Sequence, residues 1–535
     1  MLIKRPIRYR RDQNRTIKGF KVRVRLPHKT LVLSLAVALG GCASISPEAL
    51  KQAELAASTQ ADSNAMLKDV EPLPAALSMD EAIARALKYN LDRRTRLMEE
   101  SLALGQLDVA QFDMLPKLLA QAGYMWRDTD RLSYSADSVT RTRSASAPFI
   151  SQDRIHSLRE LNFSWSLLDY GMGYYGSRQQ ANRFLIAGEK RRKAMHLLVQ
   201  DVKTAYWRAA SAQLLRDDVV KIIRTADEAL EDSRKSEDER VRNPIEPLRY
   251  QRQLLENVRL LEAIQQELST AMVDLASLIN APIGAPIRIA QTDLKNISVH
   301  ALDVPIPKLE EIALQQNAEL REQHYNARIA RDETRRTLVR LFPNLSFNYG
   351  AKYDTDNYLV NQNWREAGLQ LSFNLLNLYT GPTQLKLAEA GVALADQKRM
   401  AAQLGVITQV HLARLQLINA RAQFERAEAI YETDNKIASL MRARQQVQAQ
   451  SKLDLVSNET AAILSLLRRY QALAQVQSAE NKLVATLGLE PNIGSTSELP
   501  LPALTAQVSQ TAVNWAGLKD FVPQTLPVVT SEDKK

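Results

Sequence analysis

Met79-Asp80-Glu81-Ala82-Ile83, followed by Asn90, is answered later in the chain by Leu309-Glu310-Glu311-Ile312-Ala313, followed by Asn317. From Asn90 to the pair Leu115-Pro116 is 26 positions, and from Asn317 to the pair Phe342-Pro343 is 26 again. The echo continues. Trp165-Ser166-Leu167-Leu168-Asp169 matches Phe373-Asn374-Leu375-Leu376-Asn377, and Ile245-Glu246-Pro247-Leu248 matches Leu453-Asp454-Leu455-Val456. Both copies end alike, at 278–282 and 487–491. The offset is 227 up to the prolines and 208 after them, so one segment behind Pro116 is 19 residues longer in the first copy. A unit of about 200 residues is too long for a solenoid repeat and marks a duplicated half-protein.

Each copy opens with a helical pair, about 78–114 and 307–341, stopped by a proline that cannot continue a helix interior. Behind the proline the period changes to two. Leu345, Phe347, Tyr349, Ala351 and Tyr353 alternate with Ser346, Asn348, Gly350 and Lys352, and a return run sets Leu369, Leu371, Phe373 and Leu375 against Gln370, Ser372 and Asn374. In the first copy Leu118, Ala120, Ala122, Tyr124 and Trp126 precede Leu161, Phe163, Trp165 and Leu167. These half-apolar strands of about ten residues have the pattern of transmembrane β-strands, apolar towards lipid and polar towards a lumen. The connecting loop is long and polar at about 129–156 and short at about 354–363, so most of the 19-residue difference falls there. Soluble hairpins packed on helices are the alternative, but an isolated two-stranded hairpin is barely stable in water.

Very long helical stretches follow, about 177–240 and 382–446, reaching ~95 Å at 1.5 Å per residue. Each is succeeded by a shorter helix with heptad spacing. In the first copy the seam reads Leu254, Val258, Leu261, Leu268, Met272, Leu275 and Ile279, with Gln265 its one polar member; in the second, Leu466, Tyr470 and Leu473 keep the 4-3 step. Four strands cannot close a barrel around a channel, and a sheet crossing lipid must close. Several chains therefore have to share one barrel if these strands cross a membrane, with the long helices prolonging it as a tube.

The front of the chain carries a different signal. Eleven Lys and Arg crowd residues 1–41, ahead of the apolar run Leu31 to Leu39 and the sequence Gly40-Gly41-Cys42. Basic, apolar and small-residue regions in that order form a secretory signal, too short to span a bilayer. Leu39-Gly40-Gly41-Cys42 resembles a bacterial lipobox, whose cysteine receives lipid, palmitate included. Cys42 is the only cysteine, so none remains for disulfides, a metal site or redox chemistry. The leader holds a net charge of +10, equal to that of the whole chain, so the mature part is near neutral. The basic pI is no indication of nucleic-acid binding.

No catalytic site emerges. Gly171-Met172-Gly173-Tyr174-Tyr175-Gly176 fits the dinucleotide pattern G-x-G-x-x-G, but that fold needs a helix of ordinary length and a parallel strand after it. The glycines are expected to form a flexible joint between strand and helix, with Tyr170, Tyr174 and Tyr175 at a membrane interface. His28, His156, His196, His300, His324 and His411 are scattered, with no metal-binding spacing. Neither enzyme activity nor a cofactor is expected.

The duplicated order of helix pair, Leu-Pro or Phe-Pro, strand hairpin, Leu-Leu-Asp or Leu-Leu-Asn, long helix, short tip and final helix resembles the outer-membrane efflux (TolC) family over about residues 76–491. The resemblance implies a mainly helical chain with transmembrane β-strands, four per chain, in a homotrimer. Its twelve-stranded barrel continues into a periplasmic α-helical tunnel, a passive duct fed by an inner-membrane pump through a periplasmic adaptor. The expected divisions are a signal peptide (1–41), a lipidated tether (42–75), a first repeat (76–282), a linker (283–306), a second repeat (307–491) and a loosely ordered tail (492–535). The resemblance also places the periplasmic closure at the helix tips, 242–248 and 446–456. Asp454 falls on a position that is often acidic in the family, Ser457 on a second such position, and Glu246 is the first-copy counterpart with Arg242 beside it. An ordinary acidic helix start is the alternative for Asp454. The glycines usual at the tips are missing. Two other roles stay open: the duct of a type I protein or polysaccharide exporter, and a periplasmic coiled-coil lipoprotein.

Overall fold

The computed structural model describes residues 47–143, 147–238, 245–290, 300–446, 452–489 and 499–510. Cys42 and Arg242 lie outside these residues. The chain divides into a unit ending at Ala65 and a unit beginning at Met66. The first is represented by most of helix α1 (Gln52–Leu67), no residue of which is buried. Its alanine-rich sequence has no apolar face, so propensity alone supports it.

The second unit contains both copies. The first runs α2 (Met79–Tyr89), α3 (Leu91–Gln111), a 3₁₀ turn (Phe112–Met114), β1 (Lys117–Trp126), a short hairpin β2 (Leu132–Ser133) and β3 (Phe149–Ile150), then β4 (Ile155–Ser166), α4 (Leu167–Asp238) and α5 (Ile245–Leu278). The second runs α6 (Ile306–Gln316), α7 (Ala318–Leu341), β5 (Asn344–Asp354), β6 (Asn363–Ser372), α8 (Asn377–Gln446) and α9 (Lys452–Leu487), with α10 (Leu501–Gln510) behind it.

The helical pairs bend at their asparagines. Asn90 Oδ1 accepts the Arg93 N–H at 3.1 Å while its Nδ2 donates to the Leu278 carbonyl at 3.1 Å. Asn317 Oδ1 accepts the Leu320 N–H at 3.0 Å and its Nδ2 donates to the Thr486 carbonyl at 2.8 Å. Each therefore caps one helix and ties it to the last turn of another. The helices also correct the alignment of the copies. Ser78 and Pro305 are the equivalent N-cap positions, so Met79 corresponds to Ile306, not to Leu309. A slip of three residues keeps nearly the same helix face, which is why the acidic pairs appeared to match. At the far end the Asn90 and Asn317 bonds make Leu278 equivalent to Thr486, so Ile279, rather than Leu278, is the partner of Leu487; both are fully buried.

Ile83, Ala86 and Leu87 of α2 pack on Val202 and Tyr206 of α4 and on Leu275 and Ile279. In the second copy Leu309, Ile312 and Ala313 pack on Val406, Val410 and Leu417 of α8 and on Leu483 and Leu487. The seam of α5 keeps Leu254, Leu261, Leu268 and Leu275 buried, but Gln265 is exposed and Ile264 takes its place. Val258 and Met272 only flank the seam, and Asn257 is buried between Leu254 and Leu261. Its Nδ2 donates to Ser457 Oγ at 3.0 Å, so the seam is continuous and holds one satisfied amide.

Both long helices begin earlier than expected, at Leu167 and Asn377, and hold 72 and 70 residues. The glycines of the first are inside its opening turns, not in a flexible joint. A Cβ at Gly173 would lie 2.9 Å from the Asp113 carbonyl, and one at Gly171 2.8 Å from a Val339 methyl. Gly381 repeats the arrangement against Leu341. Gly171 and Gly173 are used here for close packing, while Gly176 faces open space, and the continuous helix removes the dinucleotide reading. The expected loose tail is also corrected in part. Residues 501–510 form a helix whose Leu501 and Leu504 are buried with Ala84 and Tyr89, because its leucines share one face.

Candidate channel wall

The four long strands form one antiparallel sheet in the order β1-β4-β5-β6. Register assigns every side chain to a face, since directly paired residues point the same way. Leu118 pairs with Phe163, Phe163 with Tyr349 and Tyr349 with Ala367. Trp165, Phe347 and Leu369 form the next row on that side, and Leu345 and Leu371 the one after. The opposite face carries Lys117, Ser164, Asn348 and Gly368 in one row, and Ser166, Ser346 and Gln370 in another. In these rows one face is apolar and aromatic and the other polar; towards the loop end Arg365 and Arg159 join the apolar side and Leu158 the polar one. Phe373 and Asn374, expected inside the last strand, lie beyond its end at Ser372. Asn374 Oδ1 accepts the Leu376 N–H at 3.1 Å and starts the turn into α8.

The apolar face is most exposed along β6, where Leu369 is 72% and Leu371 70% exposed. Strand edges β1 and β6 have no partner strand among the described residues. They run in opposite directions, so the β6 edge of one copy can pair antiparallel with the β1 edge of the next.

The helices continue the same order. Next to the sheet α3 packs on α4, α4 on α7 and α7 on α8; farther away α5 packs on α4, α4 on α9 and α9 on α8. Four strand columns thus become four helix columns, with α3 and α5 at one edge and α8 at the other. Both edges carry exposed apolar side chains: Met98, Leu102 and Val109 on α3; Leu387, Leu394 and Leu404 on α8.

At the loop end of the sheet the two copies are clasped together. His156 Nδ1 lies 2.8 Å from Asp354 Oδ1, and the imidazole is 3% exposed. Asp356 Oδ1 accepts the Asp153 N–H at 3.0 Å, and Asp153 Oδ2 accepts the Asn357 N–H at 2.7 Å. His156 was singled out in sequence only as one scattered histidine; its partner sits 198 residues away, so no local spacing could reveal the pair.

The opposite end is the region of the helix tips. Asp454 is exposed in the first turn of α9, and its backbone carbonyl accepts Asn458 Nδ2 at 2.6 Å. Ser457, on the second often-acidic position, accepts the bond from Asn257. Glu246 is the second residue of α5. Arg442 Nε stands 2.5 Å from Glu459, joining α8 to α9. No cluster of metal-ligating side chains occurs among the described residues, and none of the described helices is long and apolar enough to cross a membrane.

This architecture is that of solved outer-membrane channels. The Campylobacter jejuni CmeC outer membrane channel matches with a TM-score of 0.60 at 11% identity, over 81% of this chain and 89% of that one. CusC matches with 0.57 at 17% identity, over 77% and 92%. The Neisseria gonorrhoeae MtrE outer membrane channel, in its open state, matches with 0.56 at 16% identity, over 77% and 88%. No family model and no curated protein matches the sequence. The chain has the fold of the outer-membrane efflux (TolC) family.

Proposed function

We propose that this protein is a passive outer-membrane exit channel of a tripartite efflux system, exporting small toxic molecules delivered by an inner-membrane pump through a periplasmic adaptor. The observation that carries the reading is the two-faced sheet with opposed open edges. Its apolar face suits lipid, its polar face suits a lumen, and unpaired edges in hydrocarbon cost several kcal/mol per group. Three copies give twelve strands, and the α8 edge of one copy covers the α3 and α5 edge of the next. The duct needs no chemistry of its own. A strain lacking the protein, with pump and adaptor intact, is expected to retain ethidium several-fold longer than its parent; equal retention would remove the efflux role.

Two finer assignments belong to the same reading. Cys42 is the lipidated residue of the mature N-terminus, preceded by a signal peptide. Cys42→Ser is expected to abolish palmitate labelling while leaving insertion intact, because lipid anchors but does not close strands. Labelling that persists would refute it. Asp454, with Glu246 and Arg242 from the other tip, lines the periplasmic closure in the trimer. Asp454→Asn should weaken block by divalent cations added on the periplasmic side, with little change in stability, since a helix-start carboxylate contributes only ~0.3–1 kcal/mol. Unchanged block would make Asp454 a helix-start residue alone.

A further inference from the structure

The polar face of the sheet is almost uncharged. Along it stand serines, asparagines, glycines and glutamines, and its charges are few. Lys117, beside the helices, is balanced by Asp169 at 3.5 Å. Asp354, at the loop end, is hydrogen-bonded to the buried His156. Between them lies one band that does not balance. Glu160, Lys352 and Trp364 occupy a single row, and Glu366 the adjoining one on the same face. Lys352 Nζ stands 2.5 Å from Glu366 and 3.9 Å from Glu160, so one ammonium serves two carboxylates. The Trp364 indole N–H donates to the second Glu366 oxygen at 3.2 Å, placing an aromatic ring beside the carboxylate. Glu366 is the open member, its side chain 54% exposed; Glu160 and Lys352 are 14% and 22% exposed. The band lies about 20 Å along the strand from the helix end, by a rise of ~3.4 Å per residue.

We propose that the band of Glu160, Lys352, Trp364 and Glu366 is the charge filter of the barrel lumen, and that it favours organic cations over anions. This rests on the channel reading above. Each copy contributes one uncompensated negative charge, so a closed barrel carries a negative ring. A ring of like charge in a narrow aqueous lumen concentrates counter-ions and repels co-ions. The indole face adds attraction for ammonium groups with an organic shell, which bind aromatic faces. Lys352 sets the strength of the filter by neutralising half of the carboxylates.

The test is single-channel recording of the purified protein in planar bilayers under a KCl gradient. Glu366→Gln should lower the potassium-to-chloride permeability ratio by at least about twofold, and Lys352→Met should raise it by a similar factor. Glu160→Gln supports the first change if Glu366→Gln assembles poorly, and Lys352→Gln supports the second. Benzyltrimethylammonium added from the loop side should interrupt the current, with block weakened at least about threefold in Trp364→Leu. Shifts of the same sign for the Glu and Lys variants, or no shift in either, would overturn the filter while the channel stands. Block by benzyltrimethylammonium that Trp364→Leu leaves unchanged would remove the preference for organic cations. Protein that assembles but carries no current would overturn the channel reading and the filter with it.

Discussion

Asn280 and Gly488 stand at the same place in the two copies and turn the same corner under different constraints. Both have positive φ, 51° and 69°. Both end a long helix with the 6→1 bond of a Schellman motif: the Ala281 N–H reaches the Ala276 carbonyl at 2.9 Å, and the Leu489 N–H the Val484 carbonyl at 3.2 Å. Asn280 keeps its side chain and uses it, donating Nδ2 to the Met66 carbonyl at 2.7 Å. Gly488 has no room for one. A Cβ there would stand 2.1 Å from the Gln316 carbonyl oxygen, and its own carbonyl accepts Arg192 Nη2 at 2.8 Å. Duplication preserved the backbone geometry; the surroundings then decided which residue can supply it.

The largest expected effect is therefore at Gly488. Gly488→Ala combines left-handed strain with a backbone clash and should cost about 3 kcal/mol or more, whereas Asn280→Ala should cost about 1–2 kcal/mol for strain and a lost bond. Thermal melts of the two purified variants compare them directly, and equal losses would mean that the crowding at Gly488 is not real.

Next comes the sheet, where the contrast is between faces. Leu369→Arg places charge on the apolar face and should cost about 2–4 kcal/mol in the membrane, while Gln370→Arg on the polar face should be tolerated. Recovery of both variants in assembled form from outer membranes would show that the face assignment is wrong.

The paired asparagines should behave alike. Asn90→Ala and Asn317→Ala each remove a helix cap and a bond to the end of a distant helix, and each should cost about 1–2 kcal/mol. A difference of more than about 1 kcal/mol in denaturant midpoints would show that the two bends are not equivalent.

A pH-dependent effect separates the copies on acidification. His196 of α4 has its pKa lowered to about 4 by burial, with the charge of Arg192 contributing. Its counterpart by the 208 offset is the exposed Leu404. The folded value lies below the ordinary 6.5, so the neutral ring is favoured by folding. Its contribution is complete above about pH 6.5 and is lost as pH falls through that value towards 4. His196→Leu should flatten urea midpoints across this window; an unchanged slope would show that His196 is not the group responsible.

Much of this was legible in the chain because repetition and alternation are strong signals. The strand faces follow from Leu345 to Tyr353 and from Leu118 to Trp126, and the helix pairs from Asn90 and Asn317 with their prolines. What was missed shares one physical cause. A three-residue slip on a helix, such as Met79 against Leu309, nearly preserves the exposed and buried sides, so the local pattern matches although its offset of 230 departs from the 227 that Asn90 and Asn317 set. Gly171, Gly173 and Gly381 looked like loop residues because a glycine required by a neighbouring backbone reads the same as one required by a turn. Leu501 and Leu504 were hidden in a stretch rich in Pro and Thr, where a ten-residue helix is stable only because Tyr89 and Ala84 receive it. The clasp of His156 and Asp354 joins residues from different copies, and only the sheet register brings them together. The sequence pointed to Asp454, and its exposed place in a first turn fits both a closure residue and an ordinary acidic helix start.

In the function proposed above, this chain builds a membrane channel only by sharing its sheet with two other copies. Native mass measurement of the protein extracted from outer membranes, with the same sample then inserted into a planar bilayer, tests it most directly. The result expected is a species of three chains that opens a single water-filled conductance per particle. A stable monomer, or a trimer that leaves the bilayer sealed under all conditions tried, would contradict it.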